Sequence, residues 1–189
     1  MDTIVAKYRN VKLIDLKYGV NLEDAKFIYE CFQDYNARKY FSNSMKTESF
    51  ESFVKNMKSK LLYKYNNFAI IKSVASDNNI GFIYSYEYNA NDGKMHVTVY
   101  IRQEKRNNIY GVEGCLAFYD YLFNRYSIRK IYCSVMEFNK TSIDILEALE
   151  FKLEGVLRKH KYLNGEYYDV NIYALYKEDF KKIKEKFKK

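Results

Sequence analysis

Apolar and polar positions alternate along much of this chain in ways that separate short strands from amphipathic helices. VKLIDL (11–16) alternates and reads as a first strand. Asn21 then stands as a cap before LEDAKFIYECFQDYN, where Leu22, Ala25, Ile28, Tyr29 and Phe32 share one helical face. A second helix is expected from Thr47, with SFESFVKNMKSKLLYK spaced as an amphipathic surface helix. NFAIIKSVA (67–75) and NIGFIYSYEY (79–88) form a hairpin that turns between Ser76 and Asn79. The turn NANDG (89–93) leads into the strand KMHVTVYI. A basic segment, RQEKRNNIYGVEG (102–114), opens the helix VEGCLAFYDYLFNRY (112–126). RKIYCSVM (129–136) is a strand and KTSIDILEALE (140–150) a helix. FKLEGVLRKHKYL and EYYDVNIYALY form a last hairpin around Asn164-Gly165, a type I′ turn signal, and a polar helical tail follows from Lys177.

The order β-α-α-β-β-β-α-β-α-β-β predicts an α/β layer fold. Its central sheet is mixed but mostly antiparallel, flanked by helices, and its only crossover runs through the helix after residues 102–114. With no linker and no internal repeat, one domain over residues 1–176 and a basic helical tail over 177–189 are expected.

Composition narrows the function. The net charge of +8 invites a nucleic-acid partner, but the tail from Lys177 holds seven lysines against three acids and supplies half of that charge. The rest is a mildly basic domain suited to a small polyanion. The 21 tyrosines and 13 phenylalanines interleave with aliphatic residues at core spacing, so base stacking is not expected either. Cys31, Cys115 and Cys133 sit in apolar stretches without CxxC spacing and read as buried thiols. Two distant histidines make no zinc set, so no metal is expected. MDTIVAKYRN lacks the pattern of a secretory signal and no long apolar run occurs, so the expectation is a cytoplasmic protein with no membrane partner. Rich Lys, Asn, Ile and Tyr without Pro or Trp matches the codon preferences of an AT-rich genome and says nothing of chemistry.

Strand, basic turn and helix in succession at 94–126 are the layout of a phosphate-cradling loop at a helix N-terminus. Yet Asn107, Asn108, Ile109 and Tyr110 stand where glycines would be expected. From the residues alone, an anion site and a solvated charged turn are both open.

That order of elements resembles the GNAT superfamily of acetyl-coenzyme A-dependent N-acetyltransferases. Asn139-x-x-Ser142 followed by LEALEFKLEG looks like the family's NxxSixLLExLGFxxEG segment. LEGVLRKHKYLNGEYYDVNIYAL (153–175) resembles most the branch that acetylates the N-termini of ribosomal proteins (the Rim type), with Leu157, Arg158, Asn164, Gly165, Tyr168, Asp169, Val170 and Tyr173 at matching positions. The resemblance implies a GNAT-like fold, acetyl-CoA as co-substrate and no metal. The acceptor it implies is a primary amine, on a peptide N-terminus or a small molecule, attacking directly in a ternary complex.

Within the family's Q/R-x-x-G-x-G/A motif, Arg106 falls first, Ile109 on the middle glycine and Gly111 last. The implied cofactor contacts are the main chain of Val97, Val99 and Ile101, the loop Arg106, Asn107, Asn108, Ile109, Tyr110 and Gly111, and Asn139. Asparagine tolerates positive φ, but a β-branched Ile109 does not. The strain therefore sits elsewhere or the loop is reshaped.

His96 falls where many relatives carry a glutamate base, and an imidazole suits proton abstraction near neutral pH. It also reads as a half-buried strand histidine bonded to a backbone carbonyl. The other basic position of the Rim branch falls on Lys161, which leaves His96 and Glu87 as candidates. The tyrosine acid of many relatives is replaced by Leu146, so Ser142 is the candidate acid. Ser142 and Asn139 equally suit the start of a helix. Glu150 replaces a helix-ending glycine, so it bears a left-handed conformation at about 1 kcal/mol or the helix ends differently.

The family's acceptor pocket would come from segments 17–66 and 158–168, which hold no clear charge code. A homodimer through the last strands is compatible with the fold. The competing readings are a non-catalytic GNAT-fold module that binds acyl-CoA or a protein, and a nucleic-acid binder carried by the tail.

Overall fold

A computed structural model of the chain describes residues 3–34, 37, 39–40, 48–57, 59, 61, 63–106 and 108–187. Thr47, the expected start of the second helix, and Asn107 of the loop lie outside the described residues. The strands are β1 (Ile4–Tyr8), β2 (Val11–Asp15), β3 (Asn67–Ser73), β4 (Asn79–Asn89), β5 (Lys94–Ile101), β6 (Lys130–Met136), β7 (Lys152–Leu163) and β8 (Glu166–Tyr176). The helices are α1 (Leu22–Gln33), α2 (Phe50–Met57), α3 (Tyr110–Arg125), α4 (Lys140–Ala148) and α5 (Lys177–Lys186). The eight strands form one sheet in the order β1-β2-β3-β4-β5-β6-β8-β7. β5 and β6 run parallel, while β1–β2, β2–β3, β3–β4, β6–β8 and β7–β8 run antiparallel. The chain divides into two compact units, Met1–Tyr86 with Val99–Tyr121 and Glu87–Thr98 with Leu122–Lys189.

Two expectations need correction. A strand, β1, precedes the first one expected; its IVAKY is exposed or half-buried at the sheet edge and carries no burial alternation. Of the second helix expected, Phe50–Met57 is α2, and several residues on either side of it lie outside the described residues. The crossover through α3 is also not the only one. β6 and β7 are both antiparallel to β8, so the connection through α4 links two parallel strands with β8 between them.

In the first unit, Asn21 caps α1 as expected, its side chain accepting from the Asp24 N–H at 2.7 Å. Asp24 is itself buried, with an ion pair to the buried Lys72 at 2.9 Å and a hydrogen bond from Asn79 at 3.0 Å, so α1 is fixed to the β3–β4 hairpin by charge. Around this lies an aromatic core in which Phe82 stacks on Phe68 and Tyr100, and Phe32 tilts against Phe82. Glu113 of α3, also buried, accepts from both the main chain and the side chain of Asn10, which ties the β1–β2 turn to the helix.

In the second unit, the lysine-rich tail folds as α5. Its Phe180 and Ile183 are buried, and Phe180 meets Phe123 at 5.4 Å. At the last hairpin, Asn164 and Gly165 both have positive φ, 52° and 93°, as a type I′ turn requires.

Candidate active site

β5 is where the main chain and the candidate chemistry meet. In the second unit, its parallel register with β6 consists of Lys94↔Lys130, Met95↔Ile131 and His96↔Tyr132. His96 thus stands on the last rung, and Val97 and Thr98 follow beyond that ladder. The His96 imidazole is half-buried, its side chain 19% exposed, and its Nε2 lies 3.5 Å from Glu87 Oε2. Glu87 sits within β4 at φ 53°, a left-handed residue inside a strand. Burial pushes the His96 pKa below its ordinary value; Glu87 opposes this and Lys94 adds to it. The ring therefore stays neutral, able to accept a proton, down to more acidic pH than a free histidine.

Behind His96 is a group that the sequence reading missed. Tyr132 lies against the imidazole with ring centroids 5.1 Å apart. Its hydroxyl donates to Glu154 Oε2 at 2.7 Å. Glu154 also accepts two hydrogen bonds from Lys130 Nζ, at 3.0 and 2.8 Å, and one from the Tyr176 hydroxyl at 2.8 Å. Burial would raise the Glu154 pKa, but the bonds from Lys130, Tyr132 and Tyr176 outweigh it and pull the group down to about 2. Lys130 and Tyr132 stand two apart on one strand, so their shared face was readable from parity. Glu154 was not, because it reaches that face only through the pairing of β7 with β8 and of β8 with β6, between residues far apart in sequence.

Asn139 caps α4, its side chain accepting from the Ser142 N–H at 3.4 Å. Ser142 stands in the first turn of that helix, half-buried. The capping reading of Asn139 is realised, and it leaves the side-chain amide N–H groups of Asn139 and the Ser142 hydroxyl for other partners. Leu146, in place of the tyrosine acid, is buried; Lys161 pairs with Tyr168 across the last hairpin.

The loop and the start of α3 belong to the first unit. Ile109 does not have positive φ, so it bears no left-handed strain. Its carbonyl accepts the Glu113 N–H at 2.9 Å and its side chain is 47% exposed. Tyr110 opens the helix. A Cβ on Gly111 would stand 3.3 Å from Ile101 Cγ1, so this glycine lets the helix approach the end of β5. Val99, in the middle of β5, is 38% exposed.

Arg106 Nε donates to the Ile101 carbonyl at 3.0 Å, and its guanidinium lies over Tyr40 and Tyr100 at 5.7 and 5.6 Å. Among the described residues, Lys39, Tyr40, Gln103 and Arg106 line an open polar cavity of about 260 Å³. Two cations at one opening are chemistry for an anion. Lys39 and Tyr40 went unnoticed in the sequence, where no periodicity marks them. Among the described residues no group of His, Cys, Asp and Glu is arranged to hold a metal ion.

The arrangement has known counterparts. Residues 19–172 match the family model for the acetyltransferase (GNAT) domain. The chain belongs to the GNAT family. It is 30% identical over 109 residues to the SPbeta prophage-derived uncharacterized N-acetyltransferase YokL of Bacillus subtilis (strain 168), a match over 57% of this chain and 62% of that protein's length. The fold is similar to that of the Vibrio cholerae spermidine N-acetyltransferase solved with CoA and spermine. There the TM-score is 0.79 at 21% identity, over 91% of this chain and 98% of that one. RimL, a ribosomal L7/L12 alpha-N-protein acetyltransferase solved with coenzyme A, matches with a TM-score of 0.78 at 17% identity, over 92% and 98%.

Proposed function

We propose that this GNAT chain transfers acetyl from acetyl-CoA to a primary amine, with His96 as the general base. The observation that carries this is the end of the β5–β6 ladder at His96. A half-buried imidazole with a carboxylate at Nε2 stands one residue before main chain that is free of that pairing. The residues present suit the donor: main-chain groups from Val97 on for the pantetheine arm, and Arg106 with the N-terminal turn of α3 for a diphosphate. Bound acetyl-CoA supplies an activated acyl thioester. A main-chain N–H at Val97 or Thr98 would polarise its acyl carbonyl. His96 takes the ammonium proton, and Glu87 stabilises the imidazolium that forms. Ser142, in the first turn of α4, is the candidate to return a proton to the departing thiolate. The spermidine and ribosomal-protein enzymes of like fold make a polyamine or a peptide N-terminus the first acceptors to try.

A second reading, an acyl-CoA-binding module without turnover, is favoured by two observations. Arg106 already bonds the Ile101 carbonyl, and buried Leu146 stands where a tyrosine acid is usual. Thermal denaturation with acetyl-CoA at 100 times Kd should show about 2.7 kcal/mol of stabilisation under either reading. Thiol release against a panel of amines then separates them. For the enzyme, His96→Ala should lower kcat by at least about 100-fold and remove the acidic limb of its pH profile. In the parent that limb should fall below about pH 6.5, since burial lowers the His96 pKa. An unchanged limb in His96→Ala rules out His96 as the base.

A further inference from the structure

We propose that Glu154 is a positioning residue for His96, acting through Tyr132, which it holds against the imidazole on the last rung of the β5–β6 ladder. The inference rests on the reading of His96 as the base and adds a residue on a different strand to it.

Glu154 lies on β7, the outermost strand, whose neighbouring residues Leu153 and Val156 are exposed. A carboxylate there would ordinarily be solvated and mobile. Glu154 instead accepts four hydrogen bonds from three side chains, in the geometry of a bidentate clamp rather than of a loose surface pair. Register puts it on the face occupied by Lys130, Tyr132 and Tyr176: Lys152, two residues before it, pairs with Ala174, which pairs in turn with Tyr132. The clamp has one output toward the candidate base. Of the three donors, Tyr132 is the one whose ring touches His96, and it is also that residue's register partner. A tyrosine ring on a half-buried sheet face can rotate about two side-chain bonds; a hydroxyl tied to a fixed carboxylate selects one orientation.

Glu154 has a second effect on the same face. Lys130 is buried, with its ammonium 4.4 Å from the centre of the Tyr132 ring. Without a carboxylate beside it, that cation would stand one ring away from an imidazole that must become positive. The charged and titratable groups around His96 among the described residues include Glu87 from β4, Lys94 from its own strand, and Tyr132 and Lys130 from β6. Glu154 from β7 and Tyr176 from β8 stand behind these. Removing Glu154 frees the ring and exposes His96 to the uncompensated charge of Lys130; removing the Tyr132 hydroxyl does only the first. The two substitutions therefore report different parts of one device.

The test uses the full chain with Tyr132→Phe, which keeps the ring and deletes the tie, with Glu154→Gln, which keeps the size and deletes the charge, and with the double variant. The chain has two histidines, so the His96 imidazole can be followed by NMR titration once His160→Gln has assigned the other signal. Tyr132→Phe should shift the His96 midpoint and lower kcat about tenfold, with KM for acetyl-CoA within about twofold. The double variant should lose no more than the larger single loss, because both substitutions cut one connection. A structural role alone would lower the melting temperature while leaving the titration midpoint and the acidic limb where they were. That result, or additive losses in the double variant, overturns the proposal. Retained kcat in His96→Ala overturns the reading of the base itself. A full loss in His96→Ala with a parent-like Tyr132→Phe overturns only the role of Glu154.

Discussion

Ile109 and Glu150 both occupy positions that are glycine in the family pattern, and the structure treats them in opposite ways. Glu150 keeps the conformation of the glycine it replaces, at φ 60°. The reason is hydrogen-bond closure. The Phe151 N–H reaches back to the Leu146 carbonyl and the Glu150 N–H to that of Glu147, both at 2.9 Å, which forms a Schellman end to α4 with Phe151 and Leu146 buried. Another conformation at Glu150 would open these bonds and expose Phe151. Ile109 has no such constraint: it precedes α3 without positive φ, and it is half exposed. Glycine in this family thus supplies separable things. A left-handed residue is required where a helix must close on its own carbonyls. It is dispensable where the helix only has to present N–H groups to an anion, because the first turn of any helix does that.

Glycine's third contribution is room, and that is where substitution should cost most. A Cβ at Gly81 would lie 2.1 Å from the Tyr100 carbonyl oxygen and 3.1 Å from the Ile101 Cα, and both are backbone. Neither can yield without opening the approach of β4 to β5. Gly81→Ala should therefore lose about 3 kcal/mol or more and lower Tm by roughly 10 °C. At Gly111 the nearest atom is a side-chain carbon at 3.3 Å, which can shift, so Gly111→Ala should stay within about 1 kcal/mol of the parent. Thermal unfolding of the two variants separates these cases. Equal losses would mean that the end of β5 is as rigid in its side chains as in its backbone.

What the sequence disclosed follows the same division between local and non-local causes. The caps at Asn21 and Asn139, the turn at Asn164-Gly165 and the whole of β5 were legible because a residue's own chemistry or a two-residue period fixes each of them. β1 escaped notice because its five residues, exposed or half-buried at a sheet edge, have no buried face to impose a pattern. The second crossover could not be read at all: the insertion of β8 between β6 and β7 is decided by pairing between residues far apart in sequence. At the candidate site, His96 was singled out by the family resemblance, at a strand position where many relatives carry a glutamate base. Glu87 was named beside it as a candidate, but its left-handed φ within β4 had no glycine or asparagine to signal it. Tyr132 and Glu154 were missed because their approach depends on the pairing of β5 with β6, β6 with β8 and β8 with β7, which no local period discloses.

The comparison of Ile109 with Glu150 makes its smallest and most diagnostic prediction when glycine is restored at both positions. Glu150→Gly removes the left-handed strain of a residue with a Cβ and should stabilise the fold by about 1 kcal/mol, raising Tm by about 2–4 °C. The ion pair from Lys186 that goes with it is solvent-exposed and counts for little. Ile109→Gly removes no strain, because there is none to remove. It adds unfolded-state entropy instead, and should destabilise by about 0.5–1 kcal/mol. Opposite signs are therefore expected from one substitution type in one chain, read by thermal or urea unfolding. If Ile109→Gly also stabilised the protein, the loop would hold strain that its backbone angles do not show. If Glu150→Gly were neutral, the Schellman closure would already compensate the left-handed residue. Either result would reduce the difference between the two positions to one of exposure.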